Sequence, residues 1–330
     1  MADWRPTADW PMLERRAALL RRLRAFFDER GFLEVETPLL SADAVVDRHL
    51  DPIEAVCDGT VVEGGREPRQ GGTRRFLQTS PEFALKRLMA AGGKAIYQVA
   101  HAFRRGEFGR LHNPEFTLVE WYRRGDDLAA GMRLLSDLAE ALLARGPAER
   151  LTYADAFSRW AGIDPLVPDI PAWAELLRRA GVEPPASFAA DDPDAWLDLI
   201  LLELVEPQLG RDRPIIIYDY PVSQAALARV RPDDPRVAER FELYDRGIEL
   251  ANGYHELLDP AVLRERNRAN NAWRVRDGKQ ALPEESRLLA AMEAGLPAST
   301  GVALGFDRIV MLALGAASLA EVIPFPFDRA

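Results

Sequence analysis

The sequence predicts an α+β fold whose main sheet is largely antiparallel and flanked by helices. Two runs with strand-like alternation, residues 95–104 and 115–123, are joined by one loop, and residues 240–252 form two further runs around a turn at 245–247. Helical periodicity is concentrated between these hairpins, which disfavours a repeated β-α-β unit. The sequence has no internal repeat and no convincing linker, so we predict one domain across residues 1–330.

Composition and charge exclude several classes of protein. The 330 residues are 48% hydrophobic, enough for a core, and the formal net charge of −10 argues against a surface devoted to nucleic acid. Long apolar runs and a signal-like start are both missing, so we expect a cytoplasmic protein without membrane association. A single cysteine, Cys57, and four scattered histidines disfavour a structural zinc site.

The N-terminal part predicts a helix followed by a short strand. Apolar side chains recur at helical spacing within residues 11–30, and Gly31 stands where a C-terminal cap belongs. These apolar residues are Leu13, Ala17, Leu20, Leu23 and Phe27. The arginines of this helix, Arg16 among them, are expected on its solvated face. Residues 32–38 alternate up to Pro38, which indicates an edge strand.

A strand and a helix start are predicted next. Residues 75–79 alternate like a strand. Ser80, Pro81 and Glu82 then indicate a helix with Ser80 as its N-cap and Pro81 in the first turn.

The second half of the chain mixes helices with strands. Helices are predicted at residues 128–145, 173–180, 195–209 and 261–294. Residues 213–221 indicate a buried strand, and residues 301–308 lead into a helix that continues to residue 314.

The loop of the long hairpin carries side chains that suit a polyphosphate. Arg104, Arg110 and His112 lie on or beside this loop, and Phe116 opens the return strand, where its ring could stack on a purine. A solvated, charged hairpin loop is the ordinary alternative.

The return strand predicts a polar pocket floor. The two-residue period places Phe116, Leu118, Glu120 and Tyr122 on one face. An exposed sheet face would carry the same residue types, and that alternative stays open.

Two carboxylates flank the second hairpin turn. Glu242 precedes the turn and Glu249 follows it, and carboxylates brought together on adjacent strands require a positive partner. Mg²⁺ bridging phosphate oxygens would serve, and so would an arginine or lysine. Asn252, Tyr254 and Glu256 follow and could receive an amino group.

The last strand-to-helix junction offers a second set of phosphate-binding groups. Gly301 and Gly305 permit close backbone approach, and Asp307 and Arg308 at the helix start supply a capping carboxylate and a guanidinium. Simple packing of the strand on the helix is the alternative.

Together these segments resemble the catalytic domain of class II lysyl-tRNA synthetases, over nearly the whole chain. Residues 12–38, with Glu36-Thr-Pro38, resemble motif 1, a dimer-interface element. Residues 95–123, with His112-Asn-Pro-Glu-Phe116, resemble motif 2, and residues 301–314 resemble motif 3. Within this group the chain most resembles the shortened relatives called elongation factor P–(R)-β-lysine ligases.

The resemblance implies a role for each group of residues. It implies an ATP site of Arg104, Arg105, Gly106, Arg110, His112, Asn113, Phe116, Glu249, Leu250, Gly305 and Arg308, in which Arg104 and Arg308 are catalytic. It implies an amino-acid site of Ser80, Pro81, Glu82, Glu120, Tyr122, Asn252, Tyr254, Glu256 and Ala303. Glu242 and Glu249 would bind Mg²⁺. Several carboxylates around one small cavity suit a doubly cationic substrate, lysine or an isomer of it.

Two features distinguish the chain from an ordinary lysyl-tRNA synthetase. Motif 1 begins within the first dozen residues, so no anticodon-binding barrel is expected before it and tRNA is not the expected partner. Ala303 stands where the synthetase pattern has glycine. Its methyl group could favour a substrate whose amino group lies one carbon further along from the carboxylate.

The resemblance therefore implies a homodimeric ligase that uses ATP and transfers β-lysine to elongation factor P. A truncated lysyl-tRNA synthetase and a non-catalytic paralogue that binds an amino acid or a partner protein are the alternatives. The second alternative rests on one departure: motif 2 usually has Phe-Arg-Asn-Glu, whereas here Arg105 and Gly106 follow Arg104 and Glu107 comes one place late. The usual glutamate contacts the adenine side of ATP.

Overall fold

A computed structural model describes residues 4–57, 60–62, 65–67, 72–185 and 188–330. It contains two compact units. The first comprises Met1–Arg124, Leu258–Ala298 and Ala303–Ala330, and the second comprises Gly125–Leu257 and Ser299–Val302. The single domain expected from the sequence stays a prediction.

The helices and strands follow one another along the chain as mixed α and β elements. The helices are α1 Trp10–Asp28, α2 Glu82–Ala90, α3 Leu128–Leu143, α4 Tyr153–Trp160, α5 Ile170–Arg179, α6 Pro193–Ile200, α7 Pro260–Arg276, α8 Arg287–Gly295 and α9 Phe306–Leu314. The strands are β1 Leu33–Glu34, β2 Leu40–Ser41, β3 Ile53–Cys57, β4 Thr60–Val62, β5 Gly65–Glu67, β6 Thr73–Leu77, β7 Ala95–Phe103, β8 Glu115–Arg124, β9 Glu149–Thr152, β10 Ile215–Pro221, β11 Val237–Asp245, β12 Ile248–His255 and β13 Ser299–Gly305.

The long hairpin predicted from the sequence forms the centre of the first unit. Strands β7 and β8 pair antiparallel along their length, and β1 pairs parallel with β7. A smaller antiparallel sheet has the order β2-β6-β3. Helix α1 packs on the hairpin, with the ring of Phe27 stacked on Tyr97 at 4.4 Å between centroids.

Helix α1 confirms the predicted N-terminal helix but shows a different apolar stripe. Asp9 is the N-cap and accepts a hydrogen bond from the Met12 N–H group. Leu23 and Phe27 are buried as expected, whereas Ala17 is exposed. The remaining buried positions are Leu19 and Phe26.

Two other predicted elements of the first unit are shorter than expected. Only Leu33 and Glu34 of residues 32–38 pair as a strand. The helix predicted at 261–294 is broken into α7 and α8, because Gly278 adopts φ 75 after α7 and lets the Lys279 N–H group bond to the Arg274 carbonyl.

The second unit combines an antiparallel meander with helices. Strands β10, β11 and β12 pair antiparallel, and β9 pairs parallel with β10. Helices α4, α5 and α6 pack on this sheet around the buried side chains of Tyr153, Phe157, Trp173, Trp196 and Tyr220. The α-helix predicted at 195–209 ends at Ile200. A π-helical segment, Leu201–Val205, and a 3-10 turn, Glu206–Gln208, follow it.

The observed elements confirm an α+β fold with a mainly antiparallel sheet flanked by helices. Helices that combine the length and the apolar character needed to cross a bilayer do not occur among the described residues.

Candidate active site

A buried carboxylate lies in the middle of strand β8. Glu120 is opposite Gln98 of β7, and only 1% of it is exposed. Its two carboxylate oxygens accept hydrogen bonds from the Ser80 hydroxyl at 2.5 Å and the Tyr122 hydroxyl at 2.6 Å. Leu118 and Tyr122, on the same face, are also buried. The exposed-face alternative for this strand is therefore wrong, and a buried polar floor is present.

Helix α2 places a second carboxylate beside the first. Glu82 is buried and forms an ion pair with the buried Lys86 one turn later, with Nζ to Oε1 at 2.6 Å. Pro81, not Ser80, is the N-cap of this helix, so the predicted cap is wrong. Ser80 instead donates its hydroxyl proton to Glu120 and accepts the Glu82 N–H group at 3.0 Å.

The charge of Glu82 affects the protonation of Glu120. Burial, and then the charge of Glu82, raise the pKa of Glu120 to about 8, against hydrogen bonds from Ser80 and Tyr122 that lower it. Near neutral pH Glu120 therefore holds a proton much of the time. A cation placed beside it would favour the ionised form.

The motif 2 loop brings Arg104 and Phe116 together. The Arg104 guanidinium lies over the Phe116 ring at 4.9 Å from its centroid. The backbone N–H group of Arg104 donates to the Pro114 carbonyl. Glu107 lies 3.7 Å from Arg104 through Oε1 and Nη1. Gly106 adopts φ 83 with open space around it, so glycine suits the turn that carries Glu107 back to Arg104.

Arg308 reaches the same loop from the first turn of α9. Its Nη2 lies 2.9 Å from His112 Nε2, and its Nε donates to the Leu111 carbonyl. His112 is exposed, but partial desolvation of its ring lowers its pKa, and the charge of Arg308 lowers it further. A neutral His112 accepts a hydrogen bond here, while Arg308 supplies the positive charge.

The other loop residues predicted at the ATP site have structural contacts. Arg110 is exposed and donates through Nη1 to the Ala317 carbonyl. Asn113 donates to the Glu115 carbonyl and accepts from the Phe327 N–H group. The exposed Arg105 donates its backbone N–H group to the Asp51 carbonyl.

The role predicted for Asp307 as a helix cap is wrong. Gly305 is the N-cap of α9, and no side chain caps that helix end. Asp307 instead accepts the Thr117 N–H group at 2.8 Å and pairs with Arg16 Nη2 at 2.6 Å. Arg16 is therefore not part of a purely solvated face, since it ties α1 to α9. Ala303 is half-buried in β13.

In the second unit, Glu242 lies at the centre of a buried network. Its carboxylate accepts hydrogen bonds at 2.5 Å from Arg240 Nη2 and from the hydroxyls of Tyr220 and Tyr244. Burial, followed by the charge of Glu242, raises the pKa of both tyrosines, so they stay protonated donors. An arginine, one of the positive partners considered for Glu242, therefore contacts its carboxylate.

The remaining predicted residues of this hairpin follow its register. Asn252 is opposite Glu242, and Glu249 is opposite Tyr244. The Asn252 amide donates to the Tyr254 hydroxyl at 3.1 Å. Two others are buried, Leu250 and Glu256.

A ready metal site is missing from the part of the chain that the structure describes. There, no group of three or more His, Cys, Asp and Glu side chains is arranged to hold a metal ion. Carboxylates suit Mg²⁺ in principle. The Glu242 oxygens, however, already accept three hydrogen bonds, one of them from a cation.

Three cations that organise these groups were not predicted to do so from the sequence: Lys86, Arg240 and Arg16. Lys86 could have been found, because it follows Glu82 by four residues and is one of few lysines. Arg240 precedes Glu242 by two residues on the same strand face, which is a weaker signal. Arg16 contacts residues far along the chain, so its neighbours in sequence do not reveal its role.

Comparisons with known proteins agree over the full chain. The family model described as tRNA synthetases class II (D, K and N) matches residues 2–329. An elongation factor P–(R)-β-lysine ligase of Klebsiella pneumoniae is 46% identical over 329 residues, covering 100% of this chain and 99% of the relative. Proteins of the same name from Vibrio cholerae and Salmonella dublin are also 46% identical, with the same coverage.

Proposed function

Because this chain belongs to the class II tRNA synthetase family of the D, K and N group, we propose that it is an ATP-dependent, AMP-forming ligase. Its proposed substrates are (R)-β-lysine and elongation factor P, which appear in the names of the relatives. The proposed acceptor group on elongation factor P is a lysine side chain. The observation that carries the proposal is the buried Glu120, held by two hydroxyls beside Glu82. This arrangement suits a substrate ammonium group.

The reaction requires no covalent bond to the enzyme. The carboxylate of the amino acid attacks the α-phosphorus of ATP, an aminoacyl-adenylate forms and pyrophosphate leaves. The deprotonated amine of the acceptor lysine then attacks the acyl carbon, an amide forms and AMP leaves. The protein's task is to position the reactants and to stabilise developing negative charge.

Arg104 and Arg308 are the proposed catalytic residues. Arg308 is held by the His112 ring and the Leu111 carbonyl, and Arg104 is held over Phe116, so both guanidinium groups are preorganised. We propose that Arg308 contacts distal phosphates and that Arg104 contacts the α-phosphate. The supporting ATP contacts remain proposals for Arg105, Gly106, Arg110, Asn113, Leu250, Glu249 and Gly305.

We propose that the amino-acid substrate binds through its ammonium groups. The buried Glu120 and Tyr122 would contact one ammonium group, and Ser80 and Glu82 lie beside them. Contacts from Pro81, Asn252, Tyr254, Glu256 and Ala303 rest on the family resemblance alone.

For Mg²⁺ the proposal changes. Mg²⁺ would neutralise phosphate oxygens, but Glu242 as observed is committed to Arg240 and two tyrosines and does not fit as an open ligand. We retain Glu249 as the proposed contact and assign Glu242 no metal-dependent step. The rate of ATP–pyrophosphate exchange is measured as a function of Mg²⁺ concentration in wild type and in Glu249→Gln. The same dependence in both proteins would exclude Glu249 as a Mg²⁺ ligand.

A homodimer is also proposed, and modification of a translation factor implies a cytoplasmic enzyme. Leu23 and Phe27 of α1 are buried within the first unit, so any partner contact would use the exposed residues of that helix, such as Trp10 and Ala17. Sedimentation at micromolar concentration should give a dimer. A monomer alone would contradict the proposal.

Acceptor transfer distinguishes the candidate functions. The chain is incubated with ATP and (R)-β-lysine together with elongation factor P or tRNA, and intact mass and acid-stable label report the product. Modified elongation factor P with unmodified tRNA is expected. Charged tRNA would favour the truncated synthetase, and no adenylate with any lysine isomer would favour the non-catalytic paralogue.

A further inference from the structure

Lys86 is a buried cation inside the group of residues that includes Glu120. Only 2% of Lys86 is exposed, and its Nζ lies 2.6 Å from Glu82 Oε1. The same Nζ lies 5.9 Å from the centroid of the Tyr122 ring. A lysine held this deeply loses side-chain entropy and hydration, so its position requires compensation from the groups around it.

These residues form a closed ring of contacts, which we call the Lys86 ring. Lys86 contacts Glu82, whose N–H group bonds to Ser80, and the Ser80 hydroxyl donates to Glu120. The Tyr122 hydroxyl donates to the other Glu120 oxygen, and the Tyr122 ring faces Lys86. Lys86 therefore closes the ring at both ends.

The two carboxylates of the Lys86 ring have different partners. Glu82 has a direct ion pair, whereas Glu120 accepts only from two neutral hydroxyls. The charge of Lys86 nevertheless acts on Glu120 and lowers its pKa. Two buried carboxylates thus lie near one ammonium group, and that group is paired directly with Glu82.

We propose that Lys86 is a positioning residue that determines specificity, holding Glu82 so that Glu120 receives one primary ammonium group of the amino acid. A substrate ammonium beside Glu120 completes the charge balance of the ring and displaces the proton that the carboxyl otherwise holds. An isosteric substrate without that ammonium leaves Glu120 uncompensated and binds weakly. This inference rests on the proposed function of Glu120 and deepens it.

A purely structural ion pair that fastens α2 to β8 is the competing explanation. Loss of such a pair lowers stability and impairs all substrates together, whereas the proposed role acts on the amino acid alone. The pH dependence separates them too. Lys86 lowers the pKa of Glu120 through its charge, so removing that charge should move the pH midpoint of amino-acid binding upward.

The test uses Lys86→Met and Lys86→Arg, with Arg87→Met as the matched control. Arg87 is the next residue of α2, and its side chain is exposed, so this variant removes one charge from the same helix outside the ring. KM for (R)-β-lysine, KM for ATP and kcat are measured by ATP–pyrophosphate exchange across pH 6.5–9.

Lys86→Met should raise the amino-acid KM by about tenfold or more, with the ATP KM within about twofold of wild type. Its pH midpoint should move upward. Lys86→Arg should recover most of the amino-acid affinity, and Arg87→Met should match wild type. If Lys86→Met does not fold, the double variant Lys86→Met/Glu82→Gln removes both members of the ion pair. Its amino-acid KM should be higher than in wild type, with the ATP KM within about twofold of wild type.

An unchanged amino-acid KM in Lys86→Met would overturn the inference, as would parallel rises in both KM values with an unmoved pH midpoint. In the double variant, loss of amino-acid and ATP affinity together would also overturn it. Absence of exchange in the wild type would contradict the proposed function instead, so the two failures are distinguishable.

Discussion

Raising the pH from 7 to 8.5 should lower the KM for the amino acid about eightfold. Burial and Glu82 raise the pKa of Glu120 to about 8, and only its ionised form attracts an ammonium group. A group with this pKa is roughly 9% ionised at pH 7 and roughly 76% ionised at pH 8.5. A lysine side-chain amine has a pKa of about 10.4, so the substrate keeps its charge over this interval.

ATP–pyrophosphate exchange at several pH values measures this effect. The KM for ATP at each pH is the internal reference, and Glu120→Gln should bind the amino acid poorly with no such pH dependence. A wild-type amino-acid KM that is constant from pH 7 to 8.5 would contradict a raised pKa for Glu120, since the carboxyl group would then be ionised throughout.

Thermal unfolding supplies a second readout with the opposite sign. A carboxyl group whose pKa is higher in the folded than in the unfolded protein favours folding at low pH and loses this contribution as pH rises through about 8. The Tm of Glu120→Gln relative to wild type should therefore increase between pH 6 and pH 9. A constant difference would indicate that Glu120 has an ordinary pKa.

Three further substitutions test other parts of the account. Ala303→Gly should improve activation of α-lysine by about 1–3 kcal/mol relative to (R)-β-lysine; an unchanged ratio of kcat/KM values would reject Ala303 as a selector. Arg308→Ala should slow exchange about 10²–10³-fold with unchanged circular dichroism, and near-normal exchange would remove it from the site. Gly253→Ala should lower the free energy of unfolding by about 1–3 kcal/mol, because its Cβ would lie 2.5 Å from Phe241 Cζ; equal Tm values would contradict this.

Periodicity was sufficient for most of the fold. The β7–β8 hairpin and the β11–β12 hairpin were predicted because alternation and turn residues are local properties. The break between α7 and α8 was missed although Gly278 marks it, since apolar spacing resumes after the break. Helix α4 was not among the predicted helices, although α6, which has the same length, overlaps the helix predicted at residues 195–209.

The candidate site was predicted less completely than the fold. The residue types along β8 identified Glu120 and Tyr122 as neighbours, because the period of a strand fixes which side chains share a face. The ion pairs of Lys86 and Arg240 depend on which side chains burial brings together, and Asp307 turned out to bond to Thr117 instead of its own helix. Charge balance in a buried site is therefore a property of packing that residue spacing alone does not determine.

The proposed function depends above all on activation of (R)-β-lysine by this chain. ATP–pyrophosphate exchange measured in parallel with (R)-β-lysine, α-lysine and no amino acid tests it most directly. We expect exchange that depends on the amino acid, with a higher kcat/KM for (R)-β-lysine than for α-lysine. Preference for α-lysine, or no exchange with either isomer, would contradict it.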